Sequence, residues 1–170
     1  MPSNIEIKAR VQDFAEMQSR AGSLSDVPLE VVPQEDIFFV TSHGRLKLRV
    51  LSETQGQLIY YTRPDREGPK RSDYHIYRTS DPENLKRVLE LAYEVRGTVR
   101  KTRYLYLVGQ TRVHLDDVEG LGQFLELEVV LEDGQSDAEG QAVAEELMAS
   151  LGVERGDLLE GAYMDLLESR

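Results

Sequence analysis

Polar and apolar residues alternate along much of this chain with the two-residue period of β-strands. From Asn4 onward the even positions carry Asn, Glu, Lys and Arg, while Ile5, Ile7, Ala9 and Val11 hold the odd ones. Arg45-Leu46-Lys47-Leu48-Arg49-Val50 repeats the pattern with three cations on one face. Lys101 and Arg103 share a face with Val99 and Leu105 in a long strand expected over residues 98–108. Arg112, His114 and Asp116 alternate with Val113 and Leu115, and Glu126 and Glu128 with Leu125, Leu127 and Val129. Shorter strands are expected at Val31-Val32, where Pro33 ends the run, and over residues 36–40, 57–63 and 73–79. Residues 64–71, rich in Pro, Gly and charge, read as a loop.

Helical spacing appears in four places. Asp13 is placed to cap a helix that carries Phe14, Met17 and Ala21 and breaks at Gly22. Ser80, with Pro82 in the first turn, precedes Leu85, Val88, Leu89 and Ala92; Gly97 is expected to end the connection that follows. Ser136 or Asp137 starts a helix bearing Ala144, Leu147, Met148 and Leu151, which Gly152 stops. Tyr163, Leu166 and Leu167 predict a short C-terminal helix packed on the core.

Six or seven strands joined mostly by short turns predict an antiparallel sheet. In an ordinary sandwich the apolar faces meet and the polar faces are mainly Thr, Ser and Gln in water. Here the polar faces carry Glu6, Lys8, Arg10, Arg45, Lys47, Arg49, Lys101, Arg103, Arg112, His114, Asp116, Glu126 and Glu128. Three like charges along one strand face repel by up to about 1 kcal/mol per neighbouring pair. A solvated edge strand would tolerate that. The repetition over several strands points instead to a sheet curled around a charged interior, with the amphipathic helices covering its apolar outside.

The charge distribution sharpens this picture. The net charge is −11, which argues against a general nucleic-acid binder. Residues 45–103 nevertheless carry a local +6, and residues 104–170 a local −13. With 170 residues, 40% hydrophobic and 30% charged, the chain is expected to form a single globular domain over residues 1–170. It contains no apolar run of membrane-spanning length and no cysteine, and its N-terminus lacks a signal-peptide core. A cytoplasmic protein without membrane or nucleic-acid partners is therefore expected, either a monomer or a homodimer.

A lumen lined with both signs is costly unless charged ligands and metal ions occupy it. Lys8, Arg45, Lys47, Arg49, Arg63, Lys101, Arg103 and Arg112 exceed what one phosphate needs and suit a polyphosphate. Glu6, Asp116, Glu126 and Glu128 offer hard oxygen ligands for Mg²⁺ or Mn²⁺. The chain has no GxxxxGK[ST] loop, HExxH or CxxC, which excludes those common sites. His114 taken alone reads as a structural hydrogen-bonding residue, and Tyr60, Tyr61, Tyr104 and Tyr106 as packing.

These segments together resemble the CYTH family, the triphosphate tunnel metalloenzymes, and within it the class IV adenylyl cyclase-like, CyaB-type proteins. The resemblance rests on Asn4-x-Glu6-x-Lys8, Asp36-Ile37-Phe38-Phe39, Arg45-Leu46-Lys47-Leu48-Arg49, Lys101-Thr102-Arg103-Tyr104, His114-Leu115-Asp116, Glu126-Leu127-Glu128 and Tyr163-Met164-Asp165-Leu166-Leu167, which occur in family order over nearly the whole chain. It implies an α+β fold, with a closed eight-stranded antiparallel barrel whose tunnel binds a triphosphate and divalent metal. Lys8, Lys47, Arg49, Arg63, Lys101 and Arg103 would then hold phosphates. Glu6, Glu126, Glu128 and Asp116 would hold metal, and Glu6 and Lys8 would be catalytic. The family's first Glu is Asn4 in this chain, a weaker Mg²⁺ ligand that cannot act as a base. Cyclisation of ATP to cyclic AMP and pyrophosphate is one implied reaction. Hydrolysis of tripolyphosphate or thiamine triphosphate is another, and a non-catalytic polyphosphate-binding module is the third reading.

Overall fold

Alternation in the first strand, β1 (Ser3–Arg10), decides the layout. Ile5, Ile7 and Ala9 are buried on one face, and Asn4, Glu6 and Lys8 line a cavity on the other. The computed structural model describes residues 2–170. The other strands are β2 (Glu30–Phe39), β3 (Arg45–Ser52), β4 (Gln55–Thr62), β5 (Lys70–Thr79), β6 (Val95–Val108), β7 (Thr111–Val118), β8 (Gly122–Val130) and the two-residue β9 (Leu158–Leu159). The helices are α1 (Phe14–Leu24), α2 (Pro82–Ala92), α3 (Asp137–Leu151) and α4 (Tyr163–Glu168). No helix among the described residues is long and apolar enough to cross a membrane.

Eight strands pair antiparallel in the order β5–β4–β3–β2–β6–β7–β8–β1, and β1 returns to β5 to close a barrel. The expected eight-stranded barrel with external helices is therefore the observed fold. β5 covers Ser3 to Glu6 of β1, and β9 takes the rest of that edge at Lys8 and Ala9.

The barrel is packed from outside. Ile5, Ile7, Val113, Leu115, Leu125, Leu127 and Val129 turn outward beneath Ala21 of α1 and Ala144, Leu147 and Leu151 of α3. Ile37, Phe39 and Leu48 form a second outer patch under Leu85 and Leu89 of α2. Each fully buried Ile or Leu contributes about 1.5–3 kcal/mol, so the outer apolar faces carry the stability and free the lumen for charge. α3 begins with a capping box between Ser136 and Glu139 and ends at Gly152, whose positive φ of 72° suits glycine.

Several boundaries differ from the sequence reading. β2 runs unbroken through Pro33, because there β2 pairs with β6 alone and its pairing with β3 starts only at Glu35. An unpaired strand edge tolerates the missing N–H. Gly97 lies inside β6 rather than ending the connection, and a Cβ there would meet Met164 Sδ at 2.7 Å. Lys70 and Arg71 belong to β5, not to the preceding loop, because Lys70 pairs with Glu6 and Arg71 with Ile5. Asp81 rather than Ser80 caps α2, accepting from the Asn84 N–H. α1 continues through Gly22 to Leu24. On α2 only part of the expected face is covered: Leu89 is buried, whereas Val88 is 53% exposed.

Candidate functional site

The tunnel position of each side chain follows from register. Strand direction alternates around the barrel, so the N-terminal halves of β1, β2, β4 and β7 share one end with the C-terminal halves of β3, β5, β6 and β8. The other end is crossed by the segment between β9 and α4. There the Gly161 carbonyl accepts bonds from Lys8 Nζ and Arg63 Nη2, both at 2.9 Å. Between the ends lies a cavity of about 270 Å³.

Cations dominate the crossed end and the middle. Asp36, 1% exposed, accepts two bonds from Arg49 at 2.8 Å and one from Lys47 at 3.0 Å, with Lys101 Nζ 3.8 Å away. Arg103 is bidentate to Asp116 at 2.8 and 2.7 Å and reaches Glu126 at 3.1 Å. Arg63 donates to Glu6 at 2.8 Å. Lys8 lies 3.4 Å from Glu126 and 4.0 Å above the Tyr163 ring centroid. At the opposite end the wall changes character. Val32, Gln34, Leu105, Tyr74 and Ile76 line it together with Arg78, and Arg112 is bound to Glu128 at 2.9 Å.

Burial tunes these charges. It lowers Lys8 to about 7 despite Glu126, and Lys47 to about 7, helped there by Arg49 against Asp36. Both ammonium groups therefore titrate near neutrality, and an incoming polyanion would recharge them. Burial, reinforced by Glu128 and Glu126, raises the Glu6 carboxyl even though Arg63 opposes it. Burial would also raise Glu126, but Lys8, His114, Arg103 and Lys101 together hold it well below the usual carboxylate range. Glu128 is lowered because His114, Arg112 and Arg103 outweigh its burial. Burial and Arg103 lower His114, against the opposing pull of Glu128, Glu126 and Asp116.

Of the residues expected from sequence, Glu6, Lys8, Lys47, Arg49, Arg63, Lys101, Arg103, Arg112, Glu126 and Glu128 all line the one cavity. Arg45 and Asp116 do not. Arg45 bonds to Asp65 and Asp165 at 2.7 and 2.9 Å, outside the lining. Asp116 is fully buried, and its oxygens serve Arg103 and the Tyr163 hydroxyl. Arg103 lies directly opposite it in register, so this carboxylate, on the inward face of β7 but covered by Arg103 and Tyr163, is engaged as an anchor for a cation. Asp36, Tyr163 and the Gly161 carbonyl went unassigned in the sequence. Asp36 had a usable signal, an acid inside an apolar strand. Tyr163 had none, since its helical spacing reads as core.

A divalent cation fits the residues present. Glu126 and Glu128 are hard donors, and two nearby lumen atoms, Asn4 Oδ1 and His114 Nδ1, are buried without a partner among the described residues. Buried polar atoms without partners are costly in a folded protein, and a bound ion would satisfy them.

A closed barrel whose lumen sets a row of cations against carboxylates has the construction of a polyanion-binding tunnel. The chain belongs to the CYTH family, whose model, described as the CYTH domain, matches residues 3–163. It is 24% identical to MJ0240, a candidate adenylate cyclase of Methanocaldococcus jannaschii, over 95% of this chain and 97% of that one. It is also 24% identical to adenylate cyclase CyaB of Aeromonas hydrophila, over 96% and 88% of the two chains. The fold matches the PH1012 protein of Pyrococcus horikoshii with a TM-score of 0.84 at 24% identity, covering 96% of this chain and 98% of that one. It matches HpAC1 of Hippeastrum, a candidate adenylyl cyclase described as having a dominant triphosphatase activity, with a TM-score of 0.68 at 16% identity, covering 99% and 96%.

Proposed function

We propose that this protein is a metal-dependent enzyme that binds a triphosphate in its lumen and cleaves a phosphoanhydride bond, with ATP converted to cyclic AMP and pyrophosphate. The observation that carries the reading is the convergence of Lys8, Lys47, Arg49, Arg63, Lys101 and Arg103 on one enclosed cavity beside Glu126 and Glu128. No monophosphate needs six cations, whereas a triphosphate spreads charge over three phosphoryl groups.

Each group has a part in the reaction. Arg49 and Arg103, already oriented by Asp36 and Asp116, present rigid forks to phosphate oxygens. Lys47, Lys101 and Lys8 add mobile charge that strengthens as negative charge moves to the leaving pyrophosphate. In cyclisation the ribose hydroxyl attacks the α-phosphorus, the bond to the bridging oxygen breaks, and pyrophosphate leaves. Glu6, with its raised affinity for a proton, takes the hydroxyl proton. Glu126 and Glu128 would hold the divalent ion, which supplies Lewis-acid neutralisation of phosphate charge. The apolar and aromatic patch of Val32, Leu105, Tyr74 and Ile76 at the end opposite the crossed one favours an organic triphosphate over an inorganic one.

The second reading is hydrolysis of a triphosphate, with water as nucleophile at a terminal phosphorus. It is favoured by the concentration of cations at the crossed end and by the activity described for HpAC1. Phosphorus NMR with Mn²⁺ or Mg²⁺, on ATP and on tripolyphosphate separately, decides between them. Cyclic AMP and pyrophosphate from ATP are expected. Orthophosphate replaces cyclisation by hydrolysis, and the absence of any product from either substrate leaves a binding module.

A further inference from the structure

His114 is the buried histidine of the chain: it is 4% exposed, whereas His43 and His75 face solvent. It sits on β7 directly opposite Glu126 in β8, with Glu128 one diagonal step away. Its Nδ1 lies 3.9 Å from Glu126 Oε2 and 3.9 Å from Glu128 Oε1. Those separations are too long for hydrogen bonds, and Nδ1 has no other partner among the described residues. A structural histidine would settle onto one carboxylate at about 2.7–3.2 Å. This one is instead held between two.

The three donor atoms fall within 4.8 Å of one another. Ligands bound at about 2.1–2.2 Å stand roughly 3 Å apart when adjacent and about 4.3 Å apart when opposite. Movement of less than about 1 Å would bring all three onto one ion. The neighbouring cations leave this geometry available. Lys8 engages Glu126 Oε1, and Arg112 engages Glu128 Oε2, so the other oxygen of each carboxylate faces His114; Arg103 shares that of Glu126 at 3.1 Å. Asn4 Oδ1, also buried and unpartnered, is a neutral oxygen on the same lumen wall beside Glu6.

We infer that the metal position of this lumen is a mixed nitrogen–oxygen site in which His114 Nδ1 is a direct ligand beside Glu126 and Glu128, so that it takes a first-row transition ion such as Mn²⁺ in preference to Mg²⁺. This rests on the metal dependence proposed above. Mg²⁺ demands near-ideal octahedral geometry and loses water reluctantly; Mn²⁺ shares its affinity for carboxylates but, as a first-row transition ion, accepts an imidazole nitrogen more readily, and the later ions of the row more readily still. With Asn4 contributing no charge, the carboxylates in reach of the His114 ring number two, which weakens the electrostatic hold on Mg²⁺ further.

The test uses the full chain and Mn²⁺, with and without inorganic tripolyphosphate. Electron spin-echo envelope modulation of bound Mn²⁺ is expected to show a directly coordinated ¹⁴N, replaced by ¹⁵N coupling in protein labelled with ¹⁵N-histidine. Because that arm uses the unaltered chain, it does not depend on a variant folding. In competition titrations Mg²⁺ is expected to displace Mn²⁺ at least about 10-fold less effectively than Mn²⁺ itself, and His114→Phe to remove both the nitrogen signal and that preference. Bound Mn²⁺ without a nitrogen coupling, or an unchanged preference in His114→Phe, would overturn this inference while leaving the triphosphate reading intact. Failure of any divalent ion to bind, even with tripolyphosphate, would overturn both.

Discussion

Asp36 is the residue on which the cation row depends most. It is buried, and it alone offsets Lys47 and Arg49, with Lys101 also within 3.8 Å. Asp36→Asn keeps the shape and removes the charge. Breaking a buried pair by taking one partner costs about 3–5 kcal/mol, because the remaining charges stay buried without compensation. An amide can still accept from Arg49, so the lower end, about 3 kcal/mol, is expected. For a chain of this size that is a fall in Tm of roughly 6–12 °C. The same substitution should make bound triphosphate more stabilising than in the parent, since the anion replaces the missing carboxylate. Urea unfolding with and without tripolyphosphate measures both effects. A variant within about 1 kcal/mol of the parent, or one to which tripolyphosphate restores nothing, would refute the claim that Asp36 is the buried counter-charge of Lys47 and Arg49 in the ligand-free lumen.

Lys47 and Lys8, both held near 7 by burial, give a pH dependence with two opposite signs. In the ligand-free protein their folded values lie below the unfolded ones, so they contribute stability that is full above the unfolded lysine value and is lost as pH falls through about 7. Triphosphate binding needs them charged, so calorimetric Kd should weaken above about pH 7, by up to about 10-fold per pH unit for each lysine that must gain a proton, and Lys47→Arg should flatten the profile. Glu126→Gln is expected to reduce metal-dependent turnover at least about 100-fold while far-ultraviolet circular dichroism stays unchanged, because Asp116 still holds Arg103. Gly140→Ala places a methyl 2.5 Å from Leu131 Cδ2 and 2.7 Å from Ile5 Cγ1, where α3 rests on β1. It should cost about 1–3 kcal/mol in urea unfolding with no change in substrate affinity, and an unchanged midpoint would contradict the outer-core packing described above.

The charged faces were legible because a strand's side-chain period is fixed at two. Once Lys47 is inside, Arg49 must be as well, and the same holds for Lys101 with Arg103 and for Glu126 with Glu128. What escaped the sequence depends on register between distant strands. Asp116 has the look of a lumen acid, and only its pairing with Arg103 turns it into an anchor. Asp36 finds Arg49 in the same way, across the β2–β3 ladder. Closure itself joins β1 to residues 70–73 of β5, which no local pattern encodes. Pro33 signals a stop wherever both strand edges are paired, and here one is free. Tyr163 follows a helical spacing that does predict α4, yet its ring sits against Lys8 and Lys101 and its hydroxyl donates to Asp116. His114 read as structural because a single imidazole in a strand usually is. Its two unmatched carboxylate distances exist only in three dimensions.

The most direct test of the central claim is a crystal structure of the protein with α,β-methylene-ATP and a divalent metal. The three phosphates are expected inside the barrel, held by Lys47, Arg49, Lys101 and Arg103, with the nucleoside towards Val32, Leu105 and Ile76. A nucleotide bound only on the outer surface, with no phosphate in contact with Lys47, Arg49, Lys101 or Arg103, would contradict that claim.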